Sequence, residues 1–201
     1  MLRVALTGGI ATGKSHVRAR FAARDVPTVD ADRLAREVVE PGRPAWTALR
    51  NRFDPALFTP DGALDRRRVA ALVFDDAAAR ADLEAIVHPH VRAAIDEWFE
   101  RVATSSAAPF GIADIPLLFE TERAAEFDRV IVTACDTATQ LARLAQRDRL
   151  SPDEGRKRLA AQLPTAVKAA RADFVVRTGG SFDDTERQVE SIYRVLAEPA
   201  G

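Results

Sequence analysis

The sequence is poor in the features that mark several classes of protein. One cysteine, Cys135, among 201 residues excludes an internal disulfide framework, and a lone cysteine after a predicted strand is most often a small buried hydrophobe. No apolar stretch approaches the length that spans a bilayer, and no basic segment followed by an apolar run opens the chain. Both absences predict a cytoplasmic protein with no membrane partner.

The charge is balanced, with 29 basic and 30 acidic residues and a formal net charge of −1. This balance gives no general attraction to polyanions, so we expect no nucleic-acid partner. A hydrophobic content of 47% is enough for one α/β domain that carries a small insertion. A monomer and a small homo-oligomer are both compatible with it.

Lysine is also scarce, since only Lys14, Lys157 and Lys168 are lysines among the 29 basic residues. Arginine is the default cation of this chain. A lysine at position 14, directly after the glycine-rich residues 8–13, therefore suggests a site that needs a compact point charge on a flexible stem instead of a planar guanidinium.

Residues 8–15 read Gly-Gly-Ile-Ala-Thr-Gly-Lys-Ser directly after the apolar run of residues 2–6, which is the pattern of a phosphate-binding loop between a strand and a helix. Glycines let successive N–H groups turn into one concavity, and the helix that we expect to begin near Lys14 adds its positive N-terminal end. The pattern predicts the phosphates of a nucleoside triphosphate bound by Gly9, Ile10, Ala11, Thr12, Gly13, Lys14 and Ser15, with the Ser15 hydroxyl on Mg²⁺. The alternative is a glycine turn that happens to precede a lysine.

Strands and helices alternate through most of the chain. Apolar runs predict a first strand at residues 2–6 and later ones at residues 26–29, 110–114, 129–134 and 173–177. Because each is followed by a helix, we predict an α/β/α fold with a five-stranded parallel sheet covered on both faces. Residues 41–104 contain only helical patterns, which indicates an inserted subdomain for a second substrate.

Carboxylates follow two of the predicted strands. Asp30 and Asp32 come after the second strand, and Asp114 ends the third, where open α/β sheets bind ligands. Asp114 is a candidate for the acid near Mg²⁺, and Asp32 for a role in the site. The alternative for Asp30 or Asp32 is an N-cap of the next helix.

The insertion contains a second candidate group. His88 and Arg92 are four residues apart and off the apolar stripe that includes Val91 and Ile95, so both can face one cleft. Pro89 suits the first turn of a helix, which predicts a helix start there. His88 is therefore either a ligand or a helix cap.

A basic helical hairpin is expected at about residues 140–164. Gln140, Arg143 and Arg147 share one helix face, and six basic residues fall between positions 143 and 158. They form either a solvated charged face or a lid that closes on phosphates. With this lid and an insertion at about 41–104, the core comprises about 1–40, 105–139 and 165–201.

The sequence resembles one family along almost its full length, the dephospho-coenzyme A kinases. Besides the phosphate loop, the resemblance rests on residues 29–32 (Val-Asp-Ala-Asp), 39–44 (Val-Glu-Pro-Gly-Arg-Pro), 86–89 (Ile-Val-His-Pro), 115–120 (Ile-Pro-Leu-Leu-Phe-Glu), Gln140 with Arg143 and Arg147, Gln162, and 172–173.

The resemblance implies a P-loop kinase fold and transfer of the γ-phosphoryl group of ATP to the ribose 3′-hydroxyl of dephospho-CoA. It implies that Asp32 is the acceptor-side base, that Arg143 is the lid cation, with Arg147 beside it, and that Lys14 is catalytic. Acceptor binding would involve Thr7, Asp32, His88, Arg92 and Leu117.

Two positions depart from the family pattern. Ala11 replaces a usual glycine, which is a mild change if the backbone there does not need positive φ. Residues 176–180 (Val-Arg-Thr-Gly-Gly) replace an Ile-Asp-Asn-Ser-Gly type of sequence near the adenine, so Thr178 is the candidate at the base.

Two other functions stay open for a phosphate loop of this kind. Another small-acceptor kinase, such as a nucleotide or nucleoside kinase, would share the loop, because the loop does not specify the acceptor. A nucleotide-operated binding module of the GTPase kind would require an Asn-Lys-x-Asp motif, which the sequence lacks.

Overall fold

Strands and helices alternate along residues 1–198, which are the residues that the computed structural model describes. The strands are β1 (Leu2–Gly8), β2 (Thr28–Asp30), β3 (Phe110–Asp114), β4 (Arg129–Ala134) and β5 (Phe174–Arg177). The α-helices are α1 (Lys14–Ala22), α2 (Ala31–Glu37), α3 (Pro44–Arg52), α4 (Arg66–Asp75), α5 (Ala77–Ser105), α6 (Thr137–Asp148), α7 (Pro152–Ala160), α8 (Thr165–Ala170) and α9 (Phe182–Ala197).

Within the described residues the strands form one five-stranded sheet in the order β2-β3-β1-β4-β5. β1 pairs in parallel with β3 on one side and with β4 on the other, and β4 pairs in parallel with β5. The register places Leu6 beside Asp114 and Gly8 beside Thr133. The predicted α/β fold with a parallel sheet is confirmed.

Both faces of the sheet are covered, which explains the nearly continuous apolar runs of the strands. Ile131 belongs to the core cluster that contains Val17 and Phe21 of α1 and Val189 of α9. Because successive side chains of a strand point to opposite faces, Val130 and Val132 point away from this cluster. They are buried as well, so the other face of the sheet is also covered.

The sheet has a topological switch point beside β1. The chain leaves β1 towards β2 at one edge, and it leaves β4 towards β5 at the other edge. Open parallel sheets bind ligands outside the carboxyl ends of the strands at such a point. The glycine-rich loop of residues 8–15 follows β1 and therefore lies at this position.

The chain divides into two compact units. The first comprises Met1–Val29 and the chain from Arg101 onward, and the second is Asp30–Glu100. The second unit is helical and has its own core, in which Val39, Ala45, Leu49 and Phe58 are buried. The functional division into core, acceptor-binding insertion and lid stays a prediction.

The helix start that we predicted at Pro89 is wrong, because α5 runs unbroken through that residue for 29 residues. An interior proline costs about 3 kcal/mol, since it removes one helical hydrogen bond and crowds the preceding turn. Apolar side chains are packed on both sides of Pro89, Ile86 and Val87 before it and Val91 and Ile95 after it, and full burial of one such side chain contributes about 1.5–3 kcal/mol. Packing therefore outweighs the local signal, and His88 is not a helix cap.

Despite the length of α5, no helix within residues 1–198 is both long enough and apolar enough to cross a bilayer.

Candidate active site

The loop between β1 and α1 has backbone geometry that requires glycine at two positions. Gly13 precedes α1 with φ 84°, a left-handed conformation that glycine adopts without a steric penalty, and the helix begins at Lys14 as predicted. A Cβ atom on Gly8 would lie 2.2 Å from the Thr133 hydroxyl oxygen. The loop thus folds tightly against the end of β4.

Three threonine hydroxyls hold this loop through hydrogen bonds. The hydroxyl of Thr12, which is 1% exposed, donates to the Gly9 carbonyl at 2.7 Å and lies 2.7 Å from the hydroxyl of Thr133. The Thr178 hydroxyl donates to the Thr12 carbonyl, also at 2.7 Å. These bonds leave the Thr12 side chain inside the protein, so any contact of Thr12 with a phosphate must come from its backbone.

Lys14 extends across the sheet edge to the end of β3. Its ammonium forms an ion pair with Asp114, whose side chain is 2% exposed, and Arg18 approaches the other Asp114 oxygen at 3.4 Å. The parallel register explains this, because Asp114 pairs with Leu6 two residues before the loop. Asp114 is thus a buried carboxyl group at the phosphate loop with two cationic neighbours.

The oxygen groups at this edge fit Mg²⁺. Ser15 lies exposed in the first turn of α1, and Asp114 supplies a carboxylate. No cluster of three or more His, Cys, Asp or Glu residues that could hold a metal occurs in the described part of the chain. This sparse donor set suits Mg²⁺, which keeps several waters and takes its other ligands from substrate phosphates.

Arg143 of α6, the predicted lid cation, lies against the phosphate loop in this structure, and its role in a lid stays a prediction. Its guanidinium donates to the Ala11 carbonyl at 3.2 Å and to the Thr178 carbonyl at 2.6 Å. It also contacts the thiol of Cys135, whose pKa is raised by burial, so the thiol stays neutral. Arg147, one turn further on, is exposed and forms an ion pair with Asp148 at 2.8 Å.

Ala11 adopts φ 60°, in the left-handed region. The condition for a mild alanine-for-glycine change, a backbone without positive φ, therefore does not hold. A non-glycine residue in this conformation costs about 1–2 kcal/mol, because Cβ crowds the neighbouring carbonyl. The loop carries this strain beside the Arg143 guanidinium that binds the Ala11 carbonyl.

Thr178, the candidate for base contact, points into the protein. It is 5% exposed, and its hydroxyl donates to Thr12 and accepts from Arg143 at 3.3 Å. Arg177 is exposed, and its backbone is held at both N–H and carbonyl by the amide of Gln188. The Thr178 side chain thus fastens the phosphate loop in this structure, and a contact with the base stays a prediction.

Thr7 shares a hydrogen-bond acceptor with a buried cation that was not among the predicted site residues. Lys168 is 0% exposed, and its ammonium lies 2.8 Å from a carboxylate oxygen of Glu120 and donates to the Pro116 carbonyl at 3.3 Å. The Thr7 hydroxyl donates to the same carbonyl at 3.2 Å, and Leu117 next to it is 39% exposed. The scarcity of lysine that pointed to Lys14 also applied to Lys168.

The other predicted acceptor residues lie in the second unit. Asp30 is the N-cap of α2, because its carboxylate accepts from the backbone N–H groups of Asp32 and Arg33. The capping alternative therefore holds for Asp30, and Asp32 is exposed in the first turn of the helix. His88 and Arg92 are exposed on α5 at i, i+4 spacing, as expected for one helix face.

These features define a P-loop kinase. They are a parallel sheet with a phosphate loop at its switch point, a lysine in that loop, and an arginine beside the loop that comes from a helical hairpin. The dephospho-CoA kinase family model matches residues 2–184. A dephospho-CoA kinase of Anaeromyxobacter dehalogenans is 49% identical over 198 residues, which cover 98% of this chain and 92% of the relative. The chain therefore belongs to the dephospho-CoA kinase family.

Two solved structures are similar to this chain over nearly its whole length. A protein of Thermus thermophilus has a TM-score of 0.82 and 34% identity, with 100% of this chain and 98% of the other covered. The dephospho-CoA kinase of Campylobacter jejuni has a TM-score of 0.73 and 25% identity, with 97% and 96% covered.

Proposed function

We propose that this protein transfers the γ-phosphoryl group of ATP to the ribose 3′-hydroxyl of dephospho-CoA and so forms coenzyme A in the last step of its biosynthesis. The main support for the proposal is that Lys14, Asp114 and Arg143 lie together at the phosphate loop in a chain that belongs to this family. The enzyme is a phosphotransferase with an alcohol group as acceptor.

The donor side of the reaction is assigned to the phosphate loop. Residues 9–15 bind the phosphates of ATP through those backbone N–H groups that the protein's own side chains do not occupy, Lys14 neutralises the outer phosphates, and Arg143 and Arg147 approach from the lid as it closes. Ser15 and Asp114 hold Mg²⁺ directly or through water, and the ion, when bound, neutralises charge on the phosphates. Thr178 is assigned to the nucleotide side as well.

The acceptor side is assigned to Asp32. The ribose oxygen attacks the γ-phosphorus, its proton passes to the Asp32 carboxylate, and the bond from phosphorus to the oxygen of ADP breaks. The exposed carboxylate of Asp32 supports this role, because an N-cap function is already filled by Asp30. Thr7, Leu117, His88 and Arg92 are assigned to acceptor binding.

An assay of ADP release tests this function. Purified protein, MgATP and a panel of acceptors that contains dephospho-CoA, nucleosides and nucleoside monophosphates should give turnover with dephospho-CoA, and product analysis should find phosphate on the 3′-oxygen. Faster turnover of a nucleoside or nucleotide would identify the protein as another small-acceptor kinase. Cytoplasmic location and a monomeric or small oligomeric state stay predictions.

A further inference from the structure

The backbone of Ile10, in the middle of the phosphate loop, is held at both its N–H and its carbonyl by glutamine side chains. The Ile10 N–H donates to the Gln162 side-chain carbonyl at 2.9 Å. The Gln140 side-chain amide donates to the Ile10 carbonyl at 2.7 Å. We call this pair of bonds the glutamine clamp.

The clamp is built into the packing of the protein. Gln140 is 2% exposed, which is unusual for a glutamine unless its polar atoms are bonded. A Cβ atom on Gly9 would lie 2.9 Å from the Gln140 amide nitrogen and 2.4 Å from the Thr165 hydroxyl oxygen. Gly9 is thus the residue whose missing side chain lets the clamp reach the loop.

The two glutamines lie at the two ends of the helical hairpin. Gln140 is in the first turns of α6, and Gln162 follows the end of α7 at Ala160. The helices of the hairpin pack closely, because Gly155 of α7 leaves room for Leu141 of α6, and a Cβ there would lie 2.9 Å from it. A displacement of either end of the hairpin would therefore change a hydrogen bond to the backbone of the same residue, Ile10.

We infer that Gln140 and Gln162 are positioning residues that fix the phosphate loop at Ile10 and couple the lid hairpin to it. The inference rests on the proposed binding of ATP phosphates by this loop. A neighbouring peptide at Ala11 is strained, with φ 60°, so the loop needs such fixed contacts to keep one conformation. A loop fixed before ATP arrives loses less conformational freedom on binding.

The two bonds use different atoms, which makes substitutions diagnostic. Gln140 acts as a donor, so Gln140→Glu loses its bond unless the new carboxyl is protonated. Burial raises the pKa of a carboxyl group, and the protonated acid can donate to the Ile10 carbonyl. Gln162 acts as an acceptor, so Gln162→Glu keeps its bond to the Ile10 N–H.

Kinetics and MgATP binding give the first test. Gln140→Ala and Gln162→Ala should each weaken MgATP binding, measured by calorimetry without acceptor, by about 10-fold, the effect of one hydrogen bond near a charged ligand. Gln146→Ala, an exposed glutamine of the same helix, is the matched control and should bind MgATP as the wild type does. Equal binding by the wild type and both clamp variants would overturn the inference.

The pH profile separates positioning from a general loss of stability. Activity of Gln140→Glu relative to the wild type should fall as pH rises through the pKa of the new carboxyl, because only the protonated form donates. Hydrogen exchange at the Ile10 amide in nucleotide-free protein should be faster in Gln162→Ala and unchanged in Gln162→Glu. A flat relative pH profile together with unchanged exchange in Gln162→Ala would contradict the clamp.

The exchange and MgATP-binding measurements need no acceptor. They therefore decide the clamp even if dephospho-CoA proves to be the wrong acceptor, whereas the acceptor panel decides the proposed reaction independently.

Discussion

Lys14 and Asp114 form an ion pair that joins the phosphate loop to the end of β3. Asp114 is almost completely buried, and Arg18 is a second cation beside it. The pair keeps the lysine stem directed along the sheet edge at which ATP phosphates are proposed to bind. It also means that Asp114 retains one cationic partner when Lys14 is replaced.

Replacement of Lys14 should abolish most of the activity and leave the fold intact. Lys14→Ala should lower kcat by about three orders of magnitude or more, since phosphoryl transfer depends on positioning and charge stabilisation. Lys14→Arg should also be poor, because the planar guanidinium does not replace a point charge in a tight backbone cradle. Steady-state rates and circular dichroism measure both effects, with the exposed Lys157→Ala as control. Turnover near the wild-type rate would refute the assignment of the loop.

Replacement of Asp32 should act on the chemical step. Asp32→Asn keeps the size of the side chain and removes its basicity, so kcat should fall by about two to four orders of magnitude while ATP binding changes little. The measurement is steady-state kinetics with dephospho-CoA varied at saturating MgATP.

Asp30 provides the control for this substitution. Asp30→Asn should keep near-normal stability and kcat, because asparagine caps helices about as well as aspartate does. If Asp32→Asn instead raises KM for MgATP while kcat stays unchanged, Asp32 takes part in binding the metal ion and does not act as the base for the acceptor.

Relief of the strained backbone at residue 11 should stabilise the protein. Ala11→Gly removes a penalty of about 1–2 kcal/mol but costs about 0.4–1 kcal/mol because the unfolded chain gains entropy, so a net stabilisation of about 1 kcal/mol, within a range of about 0–1.6 kcal/mol, is expected. Thermal unfolding should show a Tm higher by about 2–4 °C. Ala19→Gly, at an exposed position inside α1, should lower the Tm because glycine costs about 1 kcal/mol in a helix. The same downward shift in both variants would contradict the strain at Ala11.

Discrimination between ATP and GTP should be weak. The Thr178 hydroxyl is bonded to Thr12 and Arg143, and a hydroxyl lacks the paired amide geometry that reads the edge of a purine. Competition between the two triphosphates in the kinase assay measures the selectivity. A preference for ATP of several thousandfold would show that the base is read by other groups.

The secondary structure followed largely from local signals. Glycines and a lysine after an apolar run predicted a helix that begins at Lys14, and it does. Strand patterns predicted the parallel sheet, because burial on both faces selects continuous apolar runs. The local signal at Pro89 was overruled in α5, since burial of Val91 and Ile95 favours an unbroken helix.

By itself the sequence determined the fold class, the phosphate loop and the family, because each depends on residues that are close together in the chain or on a pattern spread along it. Only the tertiary structure showed three sets of contacts. They are the ion pair of Asp114 with Lys14, the hydrogen bond of Arg143 to the Ala11 carbonyl, and the hydrogen bonds of Gln140 and Gln162 with the backbone of Ile10. These partners are about 100 residues or more apart. Such contacts depend on strand order and register, because these decide which strand ends lie side by side at the sheet edge. Local periodicity in the sequence does not encode strand order or register.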